Sequence, residues 1–473
     1  MGFSPQLRVK KNQIIQQVEI TDISSEGLAI GRVNDMVVFV KGAVPGDVVD
    51  VEITRKKSNY REGKAIVFHT LSDRRTEPVC QHFGSCGGCK WQSLKYSEQL
   101  YFKHKQVEQT LRRLSKVELP EIEPIFGSPN EYFYRNKMDY AFANKQWLTH
   151  EEMQENIPFT PALGFHVPKY FDRILDIEKC HLQPDPSNEI RLAIKKFTTE
   201  HSYTYFDARH KEGLMRNLII RNTTLGEVMV IVVFFYRDEE KIEMLMQHLK
   251  DTFPNITSLN YIVNEKGNDT IYDQDIIVFN GTPFITEQMG ELRFKVGPKS
   301  FYQTNPVQAQ NLYNVTLEFA GLQGGETVYD LYTGTGTIAC FLAQTAAKVV
   351  GVEYVPEAIE DAHINAQINN LGNTSFYAGD MKDVLNDEFI ATNGRPDVIV
   401  TDPPRAGMHE DVVKKIVEIG AKRVVYVSCN PSTQARDLAL MDEKYKVVRV
   451  KPVDMFPHTQ HVENVVLLEL KNS

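Results

Sequence analysis

The chain has no apolar run long enough to cross a bilayer: its longest, Val228 to Tyr236, holds nine residues, against the roughly 20 that a transmembrane helix needs. Behind Arg8, Lys10 and Lys11 there is no apolar segment of the kind a secretory leader carries. A cytoplasmic location without a membrane partner is therefore expected. Cysteine is scarce, six in 473 residues, too sparse for a disulfide scaffold, and in a reducing compartment clustered thiols more often bind metal or do chemistry. Net positive charge is lacking too: 53 Lys+Arg face 62 Asp+Glu, a net of −9, which argues against nonspecific polyanion binding by the whole chain. Internal repeats and low-complexity tracts are also missing.

What is present is unevenly placed. Residues 1–120 hold 19 Lys+Arg against 13 Asp+Glu, a net of +6 that leaves −15 on the rest, so a nucleic-acid partner would first meet the N-terminal third. Short strands are predicted over Ile14–Ile20, Leu28–Arg32, Met36–Val40, Asp47–Thr54 and Lys64–Phe68, with turn signals such as Ser25-Glu26-Gly27 and Pro45-Gly46 between them. Five such strands predict a small oligonucleotide-binding-like β-barrel over residues 1–72. Arg55-Lys56-Lys57, with Tyr60, Arg61 and Lys64, offers phosphate contacts and a stacking ring, or equally a solvated hairpin tip.

A basic connecting helix is predicted over 98–114, within a central α+β domain spanning 73–295. Leu214 to Tyr236 reads there as two strands joined at Asn222-Thr223-Thr224-Leu225-Gly226. Tyr132, Tyr134, Arg135 and Lys137 interleave aromatics with cations, which suits RNA and an ordinary half-buried strand equally. From residue 296 onward helices alternate with apolar strands, at Val328–Leu331, Lys348–Val352, Asp397–Thr401 and Arg423–Ser428. That rhythm predicts a Rossmann-like α/β domain to residue 473.

Asp330-Leu331-Tyr332-Thr333-Gly334-Thr335-Gly336 follows a buried strand and opens a helix, so Gly334 and Gly336 let backbone approach a nucleotide closely. Glu353 ends the next strand, where a carboxylate can accept from both ribose hydroxyls, and Gly379-Asp380 is placed for an adenine. These residues alone fit a dinucleotide-binding oxidoreductase as well, since Gly334, Gly336 and Ala339 satisfy the relaxed G-x-G-x-x-A pattern. Asp402-Pro403-Pro404-Arg405-Ala406-Gly407 and Val427-Ser428-Cys429-Asn430-Pro431 each follow an apolar strand, at the carboxyl edge where open α/β sheets bind ligands. An isolated Cys429 would more often be a core residue than a nucleophile, and Cys340, inside the helix after the glycine loop, reads as core.

The chain resembles the RNA uracil-carbon-5 methyltransferases in three ordered motifs: Asp402 to Gly407, Tyr426-Val427-Ser428-Cys429-Asn430, and Asp454-Met455-Phe456-Pro457-His458-Thr459-Gln460-His461-Val462-Glu463. The resemblance implies that Cys429 is the nucleophile on carbon 6 of uracil, that Glu463 removes the carbon 5 proton, and that Asp402 lines the uracil and S-adenosylmethionine site. It implies a cofactor contact by Gln303, in Ser300-Phe301-Tyr302-Gln303-Thr304-Asn305, and a cofactor site that includes Tyr332, Glu353 and Asp402, with Asp380 at a position that varies in the family. The barrel is similar to a TRAM domain, implying RNA binding.

Cys80-x₅-Cys86-x₂-Cys89 can wrap three thiolates around one centre. With Cys180 as a distant fourth ligand, the resemblance implies a [4Fe–4S] cluster. Zinc is the physical alternative, with His82 or His181 as a ligand. Family members with both barrel and cysteine cluster tend to act on large-subunit ribosomal RNA, ahead of transfer RNA as substrate. The target uridine would be flipped into the pocket by an enzyme expected to be a monomer. Methylation of an exocyclic amine is the alternative within the fold, though Arg405 replaces the aromatic such enzymes carry after their prolines. Radical methylthiotransferases need a C-x₃-C-x₂-C triplet that the chain does not have, and a decayed, non-catalytic RNA-binding protein would be expected to have lost Cys429, Asp402 or Glu463.

Overall fold

The computed structural model describes residues 13–471 except residues 156, 169 and 171; the basic Arg8, Lys10 and Lys11 lie outside the described residues. The chain divides into two compact units. The smaller is made of the chain up to Gly84, Gly88–Gln106 and His458–Gln460; the larger holds Ser85–Gly87, Val107–Pro457 and the chain from His461.

In the smaller unit β1 (Ile14–Ile23), β2 (Ala29–Val33), β3 (Met36–Lys41), β4 (Val48–Lys56) and β5 (Tyr60–Thr70) close into a barrel of order β1-β2-β3-β5-β4. Alternate residues face inward, as a strand's two-residue period requires: Val18 and Ile20, Val38 and Val40, Val49, Val51 and Ile53 form its core. The basic hairpin is partly absorbed by the barrel itself. Tyr60 packs edge-on against Phe39 at 5.5 Å, Arg55 pairs with Glu62 at 3.2 Å, and Arg61 donates to the Lys57 and Tyr60 carbonyls. Lys56, Lys57 and Lys64 stay exposed. The connecting helix runs from Tyr96 to Leu114, two residues earlier than its sequence pattern begins. Its buried face is Gln99, Phe102, Lys103, Val107 and Leu111, at helical spacing, which turns Tyr101 and Leu114 outward.

The larger unit contains two seven-stranded sheets. The first takes β6 (Lys137–Ala143), β7 (Ala162–His166), β8 (Ile174–Asp176), β9 (Met215–Asn222), β10 (Val228–Phe234), β11 (Ser258–Val263) and β12 (Ile277–Gly281), in the order β12-β11-β10-β9-β6-β7-β8. β10 is buried along its whole length, which explains why its sequence is continuously apolar rather than alternating. A hairpin of β13 (Ile285–Met289) and β14 (Leu292–Val296) follows.

The second sheet takes β15 (Thr327–Leu331), β16 (Lys348–Glu353), β17 (Thr374–Ala378), β18 (Val398–Thr401), β19 (Arg423–Ser428), β20 (Tyr445–Val453) and β21 (Glu463–Leu470). Their order is β17-β16-β15-β18-β19-β21-β20, parallel except for the pairings of β21 with β19 and β20. Residues alternate between two apolar layers: Val328, Val349, Val400, Val425 and Val427 pack on one face, and Tyr329, Leu331, Val350, Val352, Ile399, Val424 and Tyr426 on the other. This is the doubly covered parallel sheet whose carboxyl edge forms a ligand crevice.

Candidate active site

Register puts three sequence-predicted residues at neighbouring strand tips. β18 and β19 are parallel neighbours, pairing Thr401 with Tyr426, so Asp402 and Cys429 leave the sheet on the same edge. β21 runs antiparallel to β19 with Ser428 opposite Asn464, and one step further along that register Glu463 faces Cys429. Glu463 is thus the first residue of β21, paired with Val453 of β20. An amide pair ties β19 to β21: Gln434 donates to the Tyr426 and Asn464 carbonyls at 3.0 and 3.2 Å, and Asn464 Nδ2 donates to Gln434 Oε1 at 2.7 Å.

The loop after Cys429 is fixed just as firmly. Asn430 caps the helix Pro431–Met441 by accepting from the Ser432 N–H at 3.1 Å, with proline where no donor is needed. The same Asn430 donates to the Arg405 carbonyl at 3.0 Å, linking the cysteine loop to the double-proline loop. Arg405 Nη2 lies 3.2 Å from His461 Nδ1.

The electrostatics of this cluster are those of a partly buried, acidic site. Burial pushes the Cys429 thiol up to about 11, helped by the Glu463 and Asp402 carboxylates and opposed by the Arg405 guanidinium. Burial raises Glu463, with Asp402 adding to it and Arg405 opposing, and burial raises Asp402. A third carboxyl, Asp330 at the tip of β15, is pushed up to about 7 by burial, against a hydrogen bond from Thr333 Oγ1 at 2.5 Å. At neutral pH such carboxyls retain protons that exposed counterparts would have lost. They can therefore take up and release protons near neutral pH.

The glycine loop stands beside them. Tyr332, Gly334 and Gly336 all have positive φ, 63°, 55° and 77°. A Cβ at Gly336 would meet Ala362 Cβ at 2.9 Å, so that position seals loop to helix, whereas a Cβ at Gly334 would project into open space. Gly334 thus leaves bare backbone at the crevice, a cradle suited to a nucleoside. Glu353 accepts from the Gly334 N–H at 3.1 Å through one oxygen and from the Val355 N–H at 3.1 Å through the other, which aims its carboxylate at the loop. Tyr332 is half-buried, its phenol pushed up to about 12 by burial and by Asp380, Asp437 and Glu353. Asp380 caps the short helix Met381–Val384 and pairs with Lys382 at 3.1 Å.

Gln303 reaches the same crevice from the segment before helix Pro306–Ala320, and its side chain hydrogen-bonds Tyr313. Tyr313 carries no signal of function in sequence, being one aromatic on an apolar helix face. In the fold its phenol is fully buried and held far above its usual range by burial, Asp402 and Asp330, with Glu463 adding to them. Cys340 is buried in the core, its thiol pushed up to about 12 by burial and by Asp330. Tyr134 is buried and donates to the Pro457 carbonyl at 3.0 Å, which makes it a brace for the turn before Glu463. Arg135 lies 5.8 Å from the Phe456 ring, and Lys137 pairs with Asp139 at 3.3 Å. Of the cysteine cluster, Cys80 and Cys89 belong to the smaller unit and Cys86 and Cys180 to the larger.

Known proteins resemble this chain in sequence and fold. The family model described as tRNA (Uracil-5-)-methyltransferase matches residues 207–471, and the TRAM domain model matches residues 10–66. A protein of Bacteroides thetaiotaomicron named as an uncharacterized RNA methyltransferase is 59% identical, the match covering 95% of this chain and 100% of that one. One with the same description from Chlorobaculum tepidum is 36% identical over 98% of both chains. Among solved structures, the Pyrococcus abyssi tRNA (uracil-54, C5)-methyltransferase in complex with S-adenosyl-L-homocysteine is similar with a TM-score of 0.76 and 29% identity, over 96% of this chain and 100% of that one. The chain belongs to the tRNA (Uracil-5-)-methyltransferase family and is an S-adenosylmethionine-dependent RNA uracil-5-methyltransferase with a TRAM domain.

Proposed function

We propose that the protein methylates carbon 5 of a uridine in large-subunit ribosomal RNA through a covalent adduct on Cys429. The observation that carries this reading is the meeting of Asp402, Cys429 and Glu463 at the tips of β18, β19 and β21. Carbon 5 of uracil is a weak nucleophile. Attack by the Cys429 thiolate on carbon 6 forms an S–C6 bond and moves the ring electrons into an enolate that activates carbon 5. S-adenosylmethionine, when bound, supplies the methyl group at its positively charged sulfur. Glu463 then takes the carbon 5 proton, the electron pair re-forms the C5–C6 double bond, and the S–C6 bond breaks to return the thiolate.

The acidic surroundings of Cys429 hold its thiol up near 11 and so oppose the thiolate; a cation entering the site, or a neighbouring carboxylate accepting the proton, would favour it. The open backbone at Gly334 supports a cofactor site formed by Gly334, Gly336, Tyr332, Glu353, Asp380, Asp402 and Gln303. Residues 1–72 capture RNA, 73–295 form the central domain and 296–473 carry out catalysis, with the target uridine flipped out of its stack. The enzyme acts as a cytoplasmic monomer.

Cys80, Cys86, Cys89 and Cys180 are assigned to a [4Fe–4S] cluster, with zinc the alternative. All four are partly exposed, and the backbone N–H groups of His82 and Phe83 favour the Cys80 thiolate against its burial, as suits a metal-bound thiolate. Metal analysis of anaerobically purified protein should give about four irons per chain; zinc alone would overturn the assignment.

A second reading, transfer RNA as substrate, is favoured by the Pyrococcus abyssi enzyme, whose description names tRNA uracil-54. Mapping 5-methyluridine in ribosomal and transfer RNA from cells with and without the gene decides between them. Loss of the mark from large-subunit RNA is the expected result, and loss from transfer RNA alone would refute the ribosomal assignment.

A further inference from the structure

Gln303 lies in a loop that is held from the central sheet. The Asn136 backbone N–H donates to the Thr304 carbonyl at 2.8 Å, and its side-chain amide donates to the Gln303 carbonyl at 3.1 Å. Arg221 Nη2 donates to the Ser300 carbonyl at 2.8 Å. These two residues are neighbours: Asn136 precedes β6, its carbonyl accepts from the Asn222 N–H at 2.9 Å, and Arg221 in β9 pairs with Lys137 in β6. The loop's ends are fixed on the catalytic side. Ser300 Oγ donates to Asp361 at 2.6 Å, and Asn305 caps helix Pro306–Ala320 while donating to the Met455 carbonyl at 2.9 Å.

Behind the loop is a small cavity of about 10 Å³ lined by Asn136, Arg221, Glu287 and Tyr302, among others. Three buried atoms there have no hydrogen-bond partner: Arg221 Nε, Glu287 Oε2 and the Tyr302 hydroxyl. The volume suits one water, and a water with three polar partners is a stable structural element. Arg221 is 6% exposed and spends its hydrogen bonds on loop carbonyls rather than on a carboxylate. Folding alone gives little reason to keep a buried guanidinium in that state, because an apolar side chain of the same length would avoid its desolvation.

We propose that Arg221, with Asn136 and a water shared by Arg221, Glu287 and Tyr302, is a positioning device of the central domain that holds Gln303 in place for S-adenosylmethionine. The inference rests on the reading of Gln303 as a cofactor contact. It makes the central sheet a determinant of cofactor affinity, although neither residue belongs to the Rossmann-like domain.

The test is S-adenosylmethionine binding by calorimetry without RNA, combined with steady-state kinetics on a target RNA, for Arg221→Met, Arg221→Lys and Asn136→Ala. Arg221→Met is expected to raise both the cofactor Kd and its KM about ten-fold with kcat at saturation within about two-fold, the pattern of lost preorganisation. Arg221→Lys, which keeps a donor for Ser300, is expected to recover affinity to within about three-fold of wild type. An unchanged Kd in folded Arg221→Met, with only a lowered thermal midpoint, would make Arg221 a structural residue and overturn the proposal. If Arg221→Met does not fold, Asn136→Ala decides in the same way. Failure of wild-type protein to capture 5-fluorouridine RNA would instead strike the covalent mechanism and leave these binding outcomes as they stand.

Discussion

Carboxylates in two regions of this protein live under opposite rules. Asp47, in the barrel unit, is fully buried and saturated: it accepts from the Val44 N–H at 2.7 Å, the Ser72 N–H at 3.0 Å, Arg75 Nε at 2.8 Å and Arg75 Nη2 at 2.6 Å. Asp402 and Glu463, at the edge of the parallel sheet, are raised by burial, with the Arg405 guanidinium opposing the rise of Glu463. A buried charge that serves folding is given its partners. One that must exchange a proton is left without them, and its displaced titration is the trace of that task.

The contrast can be broken by mutation, and the largest effect belongs to Cys429. Cys429→Ala should abolish methyl transfer, a loss of at least about 10⁴-fold in kcat, because the enolate cannot form without the nucleophile. Methyl incorporation into RNA is the readout. Glu463→Gln should slow turnover by about 10² to 10⁴-fold and leave protein linked to ordinary RNA, visible as a slow band on a denaturing gel. At the other pole, Asp47→Ala should cost about 3 kcal/mol of stability by leaving the Val44 and Ser72 N–H groups and the Arg75 guanidinium without their acceptor. It should leave adduct formation at Cys429 intact.

A pH series sharpens the same comparison. Asp330 is raised from 3.8 to about 7 in the fold, so its contribution to stability is full below its ordinary value and is lost as pH climbs through about 7. The change is on the order of 4 kcal/mol. Thermal midpoints should fall between about pH 4 and 7 in wild type, and Asp330→Asn should flatten that slope. The smallest effect expected is from Tyr313→Phe, which keeps the ring and removes the hydroxyl bonded to Gln303. A rise of about three-fold in cofactor KM fits the loss of one neutral hydrogen bond.

The sequence was most legible where chemistry and local pattern coincide. Asp402 and Cys429 each end an apolar run, and four core strands lie within a residue or so of their patterns because β-branched runs bounded by turns leave little freedom. Glu463 was identified by its motif, but its place as the first residue of β21 depends on pairing with Val453, which no local pattern encodes. Asp330 could be read only as the head of the glycine loop; its kinship with Asp402 arises from β15 and β18 being neighbours. Tyr313 and Arg221 were invisible for the same reason, since each acts through a residue distant in sequence. Tyr134 shows the converse: an aromatic among cations suits RNA and a half-buried strand equally, and its hydroxyl donates to the Pro457 carbonyl.

The central claim is that Cys429 attacks the base. Incubation with S-adenosylmethionine and target RNA bearing 5-fluorouridine, followed by digestion and mass spectrometry, tests it directly, because fluorine at carbon 5 blocks the proton removal assigned to Glu463. The account predicts a stable methylated adduct on Cys429 that Cys429→Ala does not form. Undiminished methylation by Cys429→Ala, or an adduct on another residue, would contradict it.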